Sequence, residues 1–554
     1  MAKAGEFVWH RLSGIPYPRP WMASSPANFL NAADWSIIVL YLGGIIALGS
    51  WFGRGQRNTR DYFLGGRDIP WWGVGLSIVA AETSALTVIG VPAMSYAAGG
   101  DLSFMQLIIG YVIARVILAA LLVPHYFKRE IYSPYQLFSN AFGDSARRTA
   151  GGFFLLSEAL AAGVRVYLAS IPVQLMLGSG VLGFFGGGRP ILGAILLFVL
   201  LSLIYTCIGG VKAVIWTDAV QFGLFLLGGL FTLWYIPRFF PKGAAEAFRL
   251  AAADGRLHWL NVRVDALTLW QGPMNIWMGV IGGSVMVMSS HGAEQLIVQR
   301  VLACRTVADG RKALVLSAVV VFPLFLVFLL VGVMLWAYYQ RFPLLLPLPK
   351  VPSLGVTAND YIYPIFMLTA VPHLLKGLLI VAILAAAMSS VSSALTSLAS
   401  VSTMDFVRQL LPARSEAFFL RFSKCSTIAW AGVLIVVAYL SRQAAFILEV
   451  AFKLRGLTSG ALLGGLLMAL FCKQGRAAPV ITGMLCSLAV MTWISPLAQE
   501  NLPAGWPHLH LVIAFPWYTL IGTTVTLAVA GLVSKLLPNS GPLTPLAGDA
   551  DSKT

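Results

Sequence analysis

Between residues 384 and 405 the chain reads LAAAMSSVSSALTSLASVSTMD, an apolar stretch loaded with hydroxyls. Ser389, Ser392, Ser393, Thr396 and Ser400 fall along one face of a helix, with Ser390 and Ser397 beside them. Hydroxyl oxygens are hard ligands of the kind that sodium accepts, and two adjacent rungs can hold an ion that lipid would exclude. The same residues also suit close packing, because Ser and Ala let membrane helices approach. Two carboxylates lie in comparable surroundings: Glu82 in IVAAETSALTVIGVP and Asp218 in YTCIGGVKAVIWTDAVQ. An acid inside a hydrophobic span is expensive and marks an ion or substrate path by default. The structural alternative for Glu82 is an internal arginine, and both Arg115 and Arg165 are available. Glu158, seven residues before Arg165, makes an internal ion-pair network or an anion contact equally open.

The elements that must position these groups are membrane helices. The chain is 58% hydrophobic and 11% charged, with mean hydropathy +0.80, which describes a polytopic membrane protein. Apolar runs predict thirteen helices, at about 34–53, 71–98, 103–127, 150–178, 190–209, 212–237, 273–294, 312–339, 364–404, 418–440, 443–471, 478–496 and 512–537. Thr83, Ser84, Gly90 and Pro92 favour an interrupted second helix. A broken helix frees backbone carbonyls, which coordinate cations where they line a cavity. Residues 1–33 lack a contiguous apolar core before a cleavage site and read as a polar lead-in. Residues 538–554 read as a disordered tail.

Charge sets the orientation. GRGQRNTRDYFLGGRD, QRVLACRTVADGRK, DFVRQLLPARSEAFFLRFSK and CKQGR fall on one side and are basic, which makes that side cytoplasmic. The N-terminus is then extracytoplasmic and the C-terminus cytoplasmic, in the plasma membrane (the inner membrane of a bacterium). These loops explain the net charge of +16 without a nucleic-acid partner. The five cysteines show no metal-site or CxxC spacing. No HExxH, GxSxG or phosphate-binding loop points to an enzyme.

The run YT-x-x-GG-x-KAV-x-WTD-x-x-Q, from Tyr205, resembles the signature of the sodium/solute symporter family. DYFLGGRDIPWWGVGLSIVAAETSA resembles that family's entry into its first core helix, QLIVQRVLA its exit from the sixth, and AAAMSSVSSALTS followed by TMD its eighth. Together these cover roughly residues 35–475. The resemblance implies an all-α, LeuT-like fold of five plus five inverted helices, with one leading helix at 34–53 and two trailing helices at 478–537. The first repeat would be 71–237 and the second 273–471. GGSVMVMSSHGAEQ, with Gly282-Gly283, Ser290 and His291, independently suggests a second interrupted segment in the matching place.

The resemblance also implies ligands. A first sodium site would use Ala80 and Thr83 of the broken helix with Ala386, Ser389 and Ser390. A second would use Asp218, Ser389, Ser392 and Ser393, giving one or two Na+ per cycle; the alternative for Asp218 is pairing with Lys212 or service in an exit path. Substrate candidates are Glu82, Thr87, Gln106, Ser290, His291, Arg115, Arg165 and Lys453. The polar set of the family's sugar carriers is largely absent, and the basic residues favour a small carboxylate-bearing solute. Uptake of a sugar or other neutral solute is the alternative, and a passive channel or facilitator a more distant one. The expected partners are a small solute and the bilayer, with a monomer sufficient for transport and no nucleic acid.

Overall fold

The computed structural model describes residues 30–54, 56–84, 86–128, 130–263, 265–272, 274–348, 359–443, 447–472, 475–495 and 513–537. The expected lead-in and tail therefore lie almost wholly outside the described residues. The helices include α1 (Ala32–Phe52), α2 (Trp71–Glu82), α3 (Val91–Tyr96), α4 (Met105–Leu121), α5 (Asp144–Phe185), α6 (Pro190–Tyr235), α7 (Ala244–Ala253), α8 (Gly283–Gly292), α9 (Gln295–Val301), α10 (Val307–Tyr339), α11 (Leu375–Val401), α12 (Glu416–Leu440), α13 (Ile447–Phe471), α14 (Ala477–Ile494) and α15 (Pro516–Leu536). Eight helices among the described residues are long and apolar enough to cross a membrane, or nine if the bent pair of α2 with the segment through α3 is one span.

Three elements bear on how the chain divides into passes. α6 is two spans joined at Gly210, where φ is +56° and a side chain would run into the carbonyl of Tyr62. Only glycine tolerates that conformation without strain. α2 and α3 form one span bent by 59°. α8 and α9 form another, and their break is not at Gly282-Gly283. The path runs through those glycines as a π-helical turn at Met278–Gly282 and breaks instead at Ala293 and Glu294, where Glu294 is extended. QLIVQRV forms the helix beyond that break. Single π-turns inside helices are frequent at functional sites, and a second one, Leu86–Gly90, opens the second half of the first broken span.

α11 lies at the centre, with 94% of its most apolar stretch buried, whereas α1 turns Leu40 and Trp51 outward at 73% and 65% exposure. α11 has no cap of its own. Its first turn is held instead by Asp34 of α1, which accepts from the amides of Leu374 at 2.8 Å and Gly377 at 3.1 Å, and from His373 Nδ1 at 2.5 Å. The leading helix thus fixes the start of the helix that carries the hydroxyls. Sequence periodicity merged 364–404 into one helix, but a separate helix, Ile362–Ala370, precedes α11. It also overlooked α7, an amphipathic helix between α6 and the second broken span. Beyond it, Arg256 donates to the carbonyls of Ser95, Tyr96, Ala97 and Gly100 at the end of α3. A cation there answers the carbonyls and dipole of a helix C-terminus.

Candidate functional site

The first break leaves oxygens without helical partners. The amide of Thr83 still donates to Val79, but that of Ser84 turns to Glu82 at 3.0 Å rather than to Ala80. Thr83 then leaves helical geometry at φ −80°, ψ 86°. The carbonyls of Ala80 and Thr83 are therefore released inside the protein, both residues being fully buried. Thr83 Oγ1 is also buried, with no hydrogen-bond partner among the described residues. α11 packs against α2 here. Its hydroxyls donate backward along their own helix, Ser390 to Ala386 at 3.1 Å, Ser392 to Ser389 at 2.9 Å and Ser393 to Ser389 at 2.6 Å. Back-bonding spends the proton and keeps oxygen lone pairs available. Ser389 Oγ instead donates to Asp218 at 2.7 Å. Asp218 also accepts from Ser77 of α2 at 2.6 Å, so one carboxylate ties α2 to α11 one turn before Ala80. Ala80, Thr83, Ala386, Ser389 and Ser390 are thus all buried, on the broken α2 and on the α11 that packs against it.

The second set is differently filled. Asp218, Ser389, Ser392 and Ser393 are brought together and fully buried, but a guanidinium already stands among them. Arg300 of α9 donates to Asp218 at 3.0 Å, to Ser77 at 2.9 Å, to the Leu296 carbonyl at 2.5 Å and to Ser393. Asp218 thus pairs with Arg300, not Lys212. The sequence reading missed Arg300 because QLIVQRVLA resembles the start of a basic cytoplasmic loop. The available signal was a buried acid, Asp218, with no cation four residues away on its own helix.

Beyond the two breaks lies a cavity lined by Glu82, Ser84, Thr87, Phe104, Tyr111, Arg165, Met286, Ser290, His291, Phe325 and Arg455, among others. Glu82 pairs with Arg115, which settles the choice between Arg115 and Arg165. Arg115 also donates to the Tyr111 carbonyl and contacts His291 Nε2, both at 3.1 Å. Arginine only donates, so Nε2 is the acceptor and the His291 proton sits on Nδ1, 2.9 Å from Ser290 Oγ. Arg165 pairs with Glu158 at 3.2 Å. Arg455 forms a two-pronged pair with Glu294 at the second break, with Nε 3.0 Å from Oε1. Of the expected substrate residues, Glu82, Thr87, Ser290, His291 and Arg165 line the cavity and Arg115 stands behind Glu82. Gln106 does not line it. Its amide bonds the Met274 carbonyl and the Asn261 amide, as a brace for the segment before α8. The side chain of Lys453 lies outside those described. Arg455, one of the basic residues that favour a carboxylate-bearing solute, lines the cavity, and its partner Glu294 is the supporting residue that the sequence does not disclose.

An all-helical membrane chain with two broken spans meeting at a polar cavity is built as a LeuT-like secondary transporter. The sodium:solute symporter family model matches residues 62–487, and the chain belongs to that family. The sodium/sialic acid symporter NanT of Aliivibrio fischeri is 26% identical over 93% of this chain and 95% of the relative. The sodium/sialic acid symporter SiaT of Proteus mirabilis is 28% identical over 83% and 88%, and the human sodium/iodide cotransporter 26% over 84% and 70%. Among solved structures, the substrate-bound outward-open state of a sodium-coupled sialic acid symporter, described as revealing a novel sodium site, superposes with a TM-score of 0.77 at 25% identity, covering 93% of this chain and 100% of that one. Mhp1, a nucleobase-cation-symport-1 transporter in a closed conformation, shares the fold with a TM-score of 0.51 at 12% identity, over 86% and 96%. The protein is a multi-pass sodium-coupled solute symporter, and not an enzyme.

Proposed function

We propose that the chain carries a small carboxylate-bearing solute into the cell with sodium, by alternating access across the plasma membrane. The observation that carries the substrate reading is the pair Arg165 and Arg455 on the cavity wall, where both broken spans interrupt. Guanidinium groups match carboxylates in fork geometry. The sialic acid symporters among the relatives are consistent with such a solute.

Sodium is assigned to Ala80, Thr83, Ala386, Ser389 and Ser390. An ion there draws the broken α2 against α11 and stabilises the state in which Glu82, Ser84 and Thr87 shape the cavity. That differential affinity is what coupling requires. A second ion among Asp218, Ser389, Ser392 and Ser393 has to share Asp218 with Arg300, so its binding demands that the guanidinium move. The N-terminus is placed outside and the C-terminus inside by the basic loops, with repeats at 71–237 and 273–471 between the leading and trailing helices. An inside-negative potential then favours uptake by about 2.3 kcal/mol per charge per 100 mV.

The test is a thermal-shift screen of the purified chain against carboxylates, amino acids and sugars, in sodium and in potassium. A shift by carboxylate-bearing compounds in sodium alone is expected. A shift by sugars alone would assign the neutral-solute alternative.

A further inference from the structure

We infer that the carried solute is a zwitterion, an ammonium-bearing carboxylate, with its cationic end held at Glu82 and its carboxylate at Arg165 and Arg455. The inference rests on the reading of this cavity as the substrate site and adds the second charge. Three observations carry it.

The described charges around the cavity cancel. Arg115, Arg165 and Arg455 are matched by Glu82, Glu158 and Glu294, each acid paired with one arginine. The resident groups therefore present both signs to a ligand without an excess of either. A solute that is neutral overall and carries both signs keeps that balance, and buried charge must be matched locally.

Both signs also remain open to a ligand. Glu82 spends Oε2 on Arg115, with His291 Nε2 3.7 Å away, and no described residue donates to Oε1. Its side chain is 15% exposed on the cavity wall. On the other side Arg455 uses Nε and Nη2 on Glu294 and is 24% exposed, which leaves Nη1 without an acceptor among the described residues. Arg165 likewise commits only Nη1, to Glu158. Glu82 can therefore accept one more donor, while the arginines can donate to one more acceptor.

The wall shared with Glu82 is aromatic. Phe104 stacks on Phe325 at 5.9 Å between ring centroids, and Tyr111 meets Phe325 edge-on at 6.2 Å; all three line the cavity. Aromatic rings attract desolvated ammonium groups, and this wall already receives one cation, the Arg115 guanidinium 5.7 Å from the Tyr111 ring centroid.

The experiment uses the purified full chain and matched ligand sets on two carbon frames: alanine, lactate, propionate and ethylamine, then leucine, 2-hydroxyisocaproate, isocaproate and isopentylamine. Sodium-dependent thermal shift and competition for uptake in proteoliposomes are read for each, with glycine betaine as a probe for a quaternary cation. On at least one frame the amino acid, or glycine betaine, should bind about tenfold or more tighter than the hydroxy acid and the plain acid, the margin expected of a charge-assisted hydrogen bond over a neutral one. Equal binding of the amino, hydroxy and plain acids would overturn the zwitterion and leave the carboxylate reading standing. Sodium-dependent binding of sugars or amines, with no carboxylate binding at all, would overturn both. Glu82→Gln supplies the second measurement: the preference for amino acid over hydroxy acid should fall about tenfold, with hydroxy acid binding retained. Both ligands are read on one variant, so a folding defect cannot mimic the change in ratio. An unchanged ratio overturns the assignment of Glu82.

Discussion

Ser390 and Ser393 are one helical step apart in role as well as position. Ser390 Oγ lies against the Ala386 carbonyl, within the neutral oxygen set proposed for sodium, whereas Ser393 Oγ receives Arg300. Ser390→Ala should therefore raise the sodium concentration for half-maximal uptake roughly tenfold, the scale of losing one good ligand or hydrogen bond. Unchanged sodium activation would remove Ser390 from the ion site. Ser393→Ala should instead lower the Hill coefficient of sodium activation towards one. A coefficient that does not change leaves the guanidinium as the only cation of that cluster. Arg300→Ala is expected to be worse for the fold than for the site. It strands Asp218 in a fully buried position, at a cost of about 3 kcal/mol or more. A lowered melting temperature should recover when Asp218→Asn is added, because the uncompensated charge is then gone. Asp218 was legible as a buried acid from sequence, but Arg300 was not: pairing across 82 residues leaves no local spacing to read.

At the scale of elements, periodicity located the spans because lipid demands long apolar runs. It could not divide them. The Gly210 break was legible from Gly209-Gly210 since positive φ needs glycine, but the second broken span was misplaced. Gly282 and Gly283 are there for close approach, and Gly279 nearby leaves room only for the Gln106 carbonyl of α4. The actual break falls where Glu294 must turn towards Arg455, a long-range pairing invisible in a hydropathy pattern. The interruption at the first break was legible in Thr83, Ser84, Gly90 and Pro92, and the oxygen set there is what the resemblance implies. The cavity's support by Arg455–Glu294 was not. One further element carries a testable charge. Asp360 sits in a short turn, Asn359–Tyr361, ahead of the helix before α11, packed against the second half of the first broken span. Burial pushes its carboxyl from 3.8 up to about 7. The unfolded chain ionises first, so this raised value favours the folded state at low pH and the benefit is lost as pH rises from about 4 to about 7. The change amounts to on the order of 4 kcal/mol. Asp360→Asn should flatten the pH dependence of the melting temperature across that window. A wild-type curve already flat there would show that Asp360 is solvated.

For the whole molecule the question is how much charge crosses with each solute. The described charges of the cavity cancel, and Asp218 with Arg300 cancel each other, so the resident groups add nothing to the moving complex. Net charge then comes from sodium and solute alone. One sodium with a plain carboxylate is neutral, whereas one sodium with a zwitterion carries a single positive charge. The zwitterion reading therefore predicts a current. In proteoliposomes under a fixed sodium gradient, an imposed inside-negative potential of 100 mV should favour accumulation by about 2.3 kcal/mol per charge, close to fiftyfold at equilibrium. The ratio of charge to solute moved should be one if the neutral oxygen set acts alone, and two if an ion also displaces Arg300. Potential-independent accumulation would exclude the zwitterion even if a carboxylate-bearing solute is transported. Charge counting in membranes thus reaches the chemistry of the solute, because a buried, balanced cavity leaves only the cargo to account for the current.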